Sequence, residues 1–351
     1  IYSASGLVAS GKLFESLFNI DYTAAVIFGG LAIVLYTFLG GFMAVSWTDF
    51  FQGILMFFAI TIVPTIAYGE IGGLSSIIEM TAENGVSLSL MPEGITFAAV
   101  ISALAWGLGY FGQPHILARF MGIDTIKKIA PARKIAVIWV AISLTAAVLV
   151  GIIAVPMFPN IADSEKVFIE MIAAIFNPWL GGILLAAILS AIMSTIDSQL
   201  LVSSSTLTED FYNKIIKREA GETEKMWVGR AFVIVIAVVA FILALNPENT
   251  VLDLVAYAWA GLGAAFGPAV LFSLFSKKTS WQSIFAGMIT GTLTLIIWKE
   301  SGLGAVLYEI VPGFMVNIIV IMLVNKIYGQ QDQEILNEFE EVNKIYQRDI
   351  K

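Results

Sequence analysis

The sequence predicts an all-α integral membrane protein, and three observations carry that reading. Of 351 residues, 58% are hydrophobic and only 13% are charged, whereas a soluble domain carries about 25% charged residues. Apolar runs of roughly 18–25 residues recur along the chain, the length that crosses a hydrocarbon core of about 30 Å. Many of the 30 glycines fall inside those runs. Membrane helices use glycine for close backbone approach, because lipid supplies no hydrophobic effect between them.

Composition also narrows the chemistry. Cysteine is absent and His115 is the only histidine, so no thiolate or histidine metal site and no disulfide scaffold is expected. No nucleophile–base pair stands out, and an enzyme is not expected. The net charge of −8 says little about partners, since two aqueous faces must be counted separately. A nucleic-acid partner is not expected. The chain starts at Ile1 inside an apolar stretch and shows no signal-peptide pattern. It reads as a fragment that lacks an N-terminal part.

Nine spans are predicted, over 23–40, 50–68, 95–113, 135–156, 178–206, 228–245, 251–275, 282–298 and 308–327, with residues 1–19 ending a tenth. Alternating them across a bilayer separates the charges. Arg119 to Lys134, Lys214 to Arg230, Lys277 with Lys278, and Lys326 to Lys351 fall on one side, sixteen of the 19 lysines and arginines. Only Lys12, Lys166 and Lys299 fall on the other, beside Glu70, Glu79, Glu83 and Glu93. The positive-inside rule puts the first group and the C-terminus in the cytoplasm. A short interfacial helix is expected over 165–176, an external loop with a short helix over 70–94, and a polar helical tail over about 329–351.

Polar side chains at membrane depth face a cavity or a partner and mark pathways. Ala191, Ser194, Thr195 and Ser198 stand at i, i+3, i+4 and i+7 of the span over 178–206, on one helix face. Two hydroxyls and a carbonyl suit a small monovalent cation. Serine and threonine also bond back to their own helix or join two helices, and the hydroxyls alone favour that structural reading. Asp197 adds a carboxylate that needs an ion, a proton or a positive partner. In the run Trp106–His115, Trp106 and Tyr110 share a face, three glycines loosen the backbone and Pro114 ends or kinks the helix. That combination is either a solute site on broken backbone or an interfacial aromatic belt with a helix stop. Asp49 follows Gly40–Gly41, read as a tight turn between two spans. There it is either an N-cap of the second span or a polar site. Tyr257, Trp259 and the glycines before Pro268 mark a further kinked span.

At these residues the sequence resembles the sodium/solute symporter family. GGFMAVSWTDFFQ resembles the family's fifth-to-sixth span junction, and WGLGYFGQPHILARFM resembles the seventh span of its proline carriers. SAIMST resembles the ninth span, and NPEN with YAWAGLGAAFGP the tenth-to-eleventh region. The resemblance implies an inverted-repeat transporter fold of the LeuT type, N-terminally truncated here, as one transmembrane domain over 1–351 with the second repeat at about 95–275. It implies a monomeric carrier in the bacterial plasma membrane that couples Na+ entry to uptake of proline. Ala191, Ser194 and Thr195 match Na+ ligands, and Trp106, Tyr110 and Pro114 match substrate-site positions. Asp49 matches an aspartate on the ion's route, and Asp197 is open between an auxiliary ion contact and a local anchor. Another small solute (pantothenate, a sugar, sialic acid) or a non-transporting membrane sensor are the alternative functions.

Overall fold

The computed structural model describes residues 1–350 apart from 90–91, 247–249 and 330–331, and every ordered element among the described residues is helical. In chain order the α-helices are α1 (Tyr2–Phe18), α2 (Tyr22–Glu70), α3 (Gly73–Glu83), α4 (Phe97–Leu104), α5 (Pro114–Met121), α6 (Ile129–Met157), α7 (Val167–Ile175), α8 (Pro178–Thr206), α9 (Glu222–Ala244), α10 (Val251–Phe275), α11 (Trp281–Glu300), α12 (Ile310–Ile327) and α13 (Gln333–Ile350). A 3-10 stretch, Ala105–Gly112, follows α4, and a π-type stretch, Leu207–Ile216, extends α8. Among the described residues seven helices are long and apolar enough to cross a membrane: Val45–Glu70, Ile126–Met157, Pro178–Ile216, α9, α10, α11 and α12. Helix α1 and the Tyr22–Phe38 arm of α2 form a further apolar pair bent by 115°, and Phe97–Gly112 is a shorter apolar helix.

The bend between α1 and α2 is written in three residues. Asn19 takes a left-handed conformation (φ 50°, ψ 42°) and closes α1, as asparagine does at a helix C-terminus. The Asp21 carboxylate accepts from the backbone N–H of Thr23 and Ala24 and opens α2. Helical winding is assigned over all 49 residues of α2, but its axis folds back on itself: the Tyr36 hydroxyl bonds that of Thr48, twelve residues on, which a straight helix would hold about 18 Å apart. The reversal expected at Gly40–Gly41 lies between these two residues, although helical winding is assigned through it. Two glycines weaken a helix by about 1 kcal/mol each and permit a sharp bend. The side chains of 39–42 and 44 lie outside the described residues.

The contacts divide the chain into two units, Ile1–Pro92 with Phe120–Val255, and Glu93–Arg119 with Ala256–Lys351. In the first, α1 packs on α2, α8 and α9 through small residues. A Cβ on Gly29 would strike Ser10, and one on Gly6 would strike Ile196. Around that contact Leu7, Val26, Ile33, Ile196 and Leu200 are buried. A second core joins Val63, Ile77, Ile153, Met171 and Ile172 of α2, α3, α6 and α7. Lys12 donates to Asp163 (3.0 Å) and Glu165 (2.7 Å), and Glu165 also accepts from the N–H groups of Val251 and Leu252 at the start of α10.

In the second unit α11 and α12 meet at Gly287, Gly291 and Gly313. Pro268 inside α10 has no N–H, so the carbonyl of Ala264, four residues back, loses its helical partner. The fully buried Asn317 of α12 supplies it, donating Nδ2 to Ala264 O at 2.6 Å and to Ala265 O at 2.9 Å.

Candidate functional site: a hydroxyl cluster and an aromatic wall

In the first unit, α8 carries the hydroxyls. The Ser194 Oγ–H donates to Ala191 O at 3.1 Å and the Thr195 Oγ1–H donates to the same oxygen at 3.0 Å. Helix geometry causes this, because i−3 and i−4 carbonyls are the acceptors within reach of a helical hydroxyl. Three neutral oxygens thus meet on one half-buried turn. The back-bonding named as the structural reading is present. It does not oppose cation binding, since each hydroxyl oxygen keeps two lone pairs.

One turn further on, Ser198 donates to Asp49 Oδ2 of α2 at 3.4 Å. Asp49 is no N-cap, because it lies one turn inside the helical arm Val45–Glu70. It is a half-buried carboxylate facing α8. Asp197 is 0% exposed. Tyr36 lies within electrostatic reach of both Asp49 and Asp197, and its hydroxyl bonds that of Thr48. Two carboxylates near one Ser/Thr/Tyr cluster favour a cation over an anion. Among the described residues no group of three or more His, Cys, Asp or Glu can hold a metal ion.

In the second unit, Trp106 and Tyr110 stand in the 3-10 stretch, where three residues make a turn. They are not the i, i+4 face of an α-helix. Both rings instead meet Trp259 of α10: Trp106 stacks on it (centroids 5.6 Å apart, 17° between planes) and Tyr110 abuts it edge-on (4.8 Å, 87°). Trp106 also stacks on Tyr308 at 6.2 Å. Trp259 Nε1–H donates to Trp106 O at 2.8 Å. The fully buried Gln113 donates Nε2 to Gly109 O and Trp259 O, both at 3.2 Å. Glycine is required at 109 and 112: a Cβ on the first would enter the Trp259 ring, and one on the second would strike Leu262 O. Pro114 begins α5, where a missing N–H loses nothing. Trp106 is thus held by its neighbours, while Tyr110 leaves 46% of its surface open.

Gln113, Trp259 and Tyr308 complete this wall; sequence reasoning gave Gln113 and Tyr308 no role of their own and placed Trp259 only in a kinked span. A glutamine in an otherwise apolar run was the available signal for Gln113. Tyr308, about 50 residues beyond Trp259 in the chain, gave none. The Ala191, Ser194, Thr195, Ser198 and Asp49 cluster belongs to the first unit, and Trp106, Tyr110 and Pro114 belong to the second.

Comparison with known proteins gives concordant results. A family model described as the sodium:solute symporter family matches residues 1–291. The chain is 49% identical over 338 residues to a sodium/proline symporter of Escherichia coli (strain K12), covering 93% of this chain and 67% of that protein. It is 43% identical over 355 residues to an osmoregulated proline transporter of Bacillus subtilis (strain 168), covering 99% and 72%. Among solved structures, a Na+-coupled sialic acid symporter in a substrate-bound outward-open state matches with a TM-score of 0.73 at 20% identity, covering 94% of this chain and 72% of that one. That match shows a shared fold, the LeuT-type transporter architecture expected from the sequence.

Proposed function

The chain belongs to the sodium:solute symporter family, and on that premise we propose that it imports L-proline together with Na+ by alternating access. It is a multi-pass membrane transporter of a small molecule and not an enzyme. The observation that carries the reading is the meeting of the Ser194 and Thr195 hydroxyls at the Ala191 carbonyl. Na+ is a hard cation that takes oxygen ligands. Rotation of the two O–H bonds away from Ala191 turns lone pairs toward it. Asp49 lies on the ion's route, where Ser198 holds its carboxylate, and Asp197 adds negative potential beside it.

Proline is a zwitterion on an apolar ring. Its pyrrolidine packs against the open face of Tyr110, and Trp106, wedged by Trp259 and Tyr308, fixes where that face stands. Pro114 begins α5 directly after this wall and bounds the substrate site at that end.

Coupling follows from a difference in affinity between states. Na+ binds the outward-open state more tightly and shifts the population toward it, each factor of ten in that preference being worth about 1.4 kcal/mol. Proline binds next, the outer side closes, and both leave to the inside. Each Na+ entering gains about 2.3 kcal/mol at a membrane potential of −100 mV. We assign the protein to the bacterial plasma membrane as a monomer of nine spans, with the second inverted repeat at about 95–275. The tail from about 329 is cytoplasmic, on the side that holds sixteen of the 19 lysines and arginines.

The test is uptake of labelled proline by the protein reconstituted in liposomes, with an inward Na+ gradient and with choline in its place. Accumulation only with Na+, competed by unlabelled proline and not by pantothenate, sugars or sialic acid, is the expected outcome. Equal accumulation in choline refutes the coupling, and competition by another of those solutes refutes the substrate.

A further inference from the structure

We propose that the crevice between α2 and α9 is a binding site for one membrane glycerophospholipid, with its phosphate on Arg230 and an acyl chain in the groove beyond. Two cavities make the site. The polar one, of about 480 Å³, is lined by Thr37, Thr208, Lys225 and Arg230 and by the carboxylates of Glu209 and Glu222, which pair with Lys225, among others. The apolar one, of about 390 Å³, is lined by Ile27, Leu31 and Val34 of α2 and by Ile234, Val238 and Phe241 of α9, among others.

The two cavities adjoin on both helices. On α2, Val34 of the apolar cavity lies one turn from Thr37 of the polar one. On α9, Ile234 of the apolar cavity directly follows Val233 of the polar one. From Val34 back to Ile27, and from Ile234 on to Phe241, the groove runs about 10 Å along each helix, at 1.5 Å per residue. A polar chamber followed along the same two helices by an apolar groove matches the form of a headgroup with its chain, and neither a free anion nor a hydrocarbon alone uses both parts.

Charge selects the headgroup. The guanidinium of Arg230 lies 5.3 Å from the centre of the Phe38 ring and 4.9 Å from that of Trp227. Those rings hold it in place and leave its N–H donors unspent. No ion pair ties Arg230 to a carboxylate of the described residues, whereas the adjacent Lys225 is taken by Glu222 (3.1 Å) and Glu209 (3.5 Å). An arginine fork with donors to spare is suited to bidentate binding of a phosphate. Its depth agrees. Trp227 is 56% exposed, as tryptophan is at the membrane–water boundary. Arg230 lies three residues deeper, about 4.5 Å along α9. The inference is independent of what the protein carries.

The experiment is native mass spectrometry of the protein purified in mild detergent, with phospholipid titrated back, together with thermal unfolding. The expected result is one tightly retained phospholipid per chain. R230Q lowers retention about tenfold or more, in line with loss of a hydrogen-bonded charge, and R230K restores part of it. V238W, which crowds the groove and leaves the polar chamber intact, lowers retention as well. Phospholipid raises the unfolding midpoint of the wild type, while diacylglycerol with the same chains and inorganic phosphate do not. Equal retention by R230Q and the wild type overturns the proposal, as does equal stabilisation by diacylglycerol. Stabilisation by inorganic phosphate alone reassigns the chamber to a free anion and overturns it too. An R230Q protein that unfolds in detergent is read by V238W, whose undiminished retention overturns the groove assignment.

Discussion

Replacing Thr195 by valine isolates the part of the site on which Na+ coupling depends. Valine keeps the β-branched shape and removes one oxygen. In the structure that oxygen makes one bond, to Ala191 O at 3.0 Å, and the carbonyl retains a second donor in Ser194 at 3.1 Å. The fold therefore loses little, on the order of 0.5–1 kcal/mol, because the acceptor stays satisfied. A bound cation loses more, since an interaction with a charged group is worth about 1.5–3 kcal/mol. The Na+ concentration for half-maximal uptake should rise about 10-fold or more. Removing Ser194 as well should raise it further, by less than the product of the two effects, because both hydroxyls share Ala191. The assay is initial uptake of labelled proline at fixed substrate over a Na+ series, for the wild type, T195V, T195S and S194A/T195V. T195S restores the oxygen and should restore the Na+ response. If T195V matches the wild type across the series, the hydroxyl is only a helix back-bond and the assignment fails.

Y110A should weaken proline binding by about tenfold, while Na+ binding measured without proline stays within about twofold. Equal losses in both would mean that the wall had collapsed. N317L should lower unfolding stability by about 1–3 kcal/mol, because Ala264 O is then buried without a donor, and an unchanged midpoint in detergent would refute that account of the proline kink. Burial, reinforced by Arg119, lowers the His115 imidazole to about 4 from the usual 6.5. The unfolded chain then binds the proton first, so stability should fall as pH drops from 6.5 toward 4. H115Q should flatten that fall, and parallel pH–stability curves for the two proteins would contradict it.

Fold class was readable because the lipid solvent demands long apolar helices, and the composition shows them directly. Local chemistry was harder to read. The reversal at Gly40–Gly41 was legible, since a glycine pair permits one, and Tyr36 meets Thr48 across it. The meaning of Asp49 was not legible, because it comes from Ser198, 149 residues away. The Trp106–Tyr110 spacing assumed 3.6 residues per turn, and the segment is wound at three. Its winding is stabilised by bonds from α10 and from Gln113, long-range contacts that spacing does not encode. The Ala191–Ser194–Thr195 grouping was legible for the opposite reason. All three lie within five residues of one regular helix, so their convergence is a local property of the chain.

The tight winding of Ala105–Gly112 has a mechanical corollary. Eight residues measure about 16 Å as a 3-10 helix and about 12 Å as an α-helix, and their ends differ in rotation by about 160° between the two forms. The segment is in effect a screw whose pitch sets the distance between α4 and α5. Relaxing it would draw Gln113 some 4 Å toward α4 while swivelling the indole of Trp106 relative to the start of α5, converting a local rewinding into both stroke and torque.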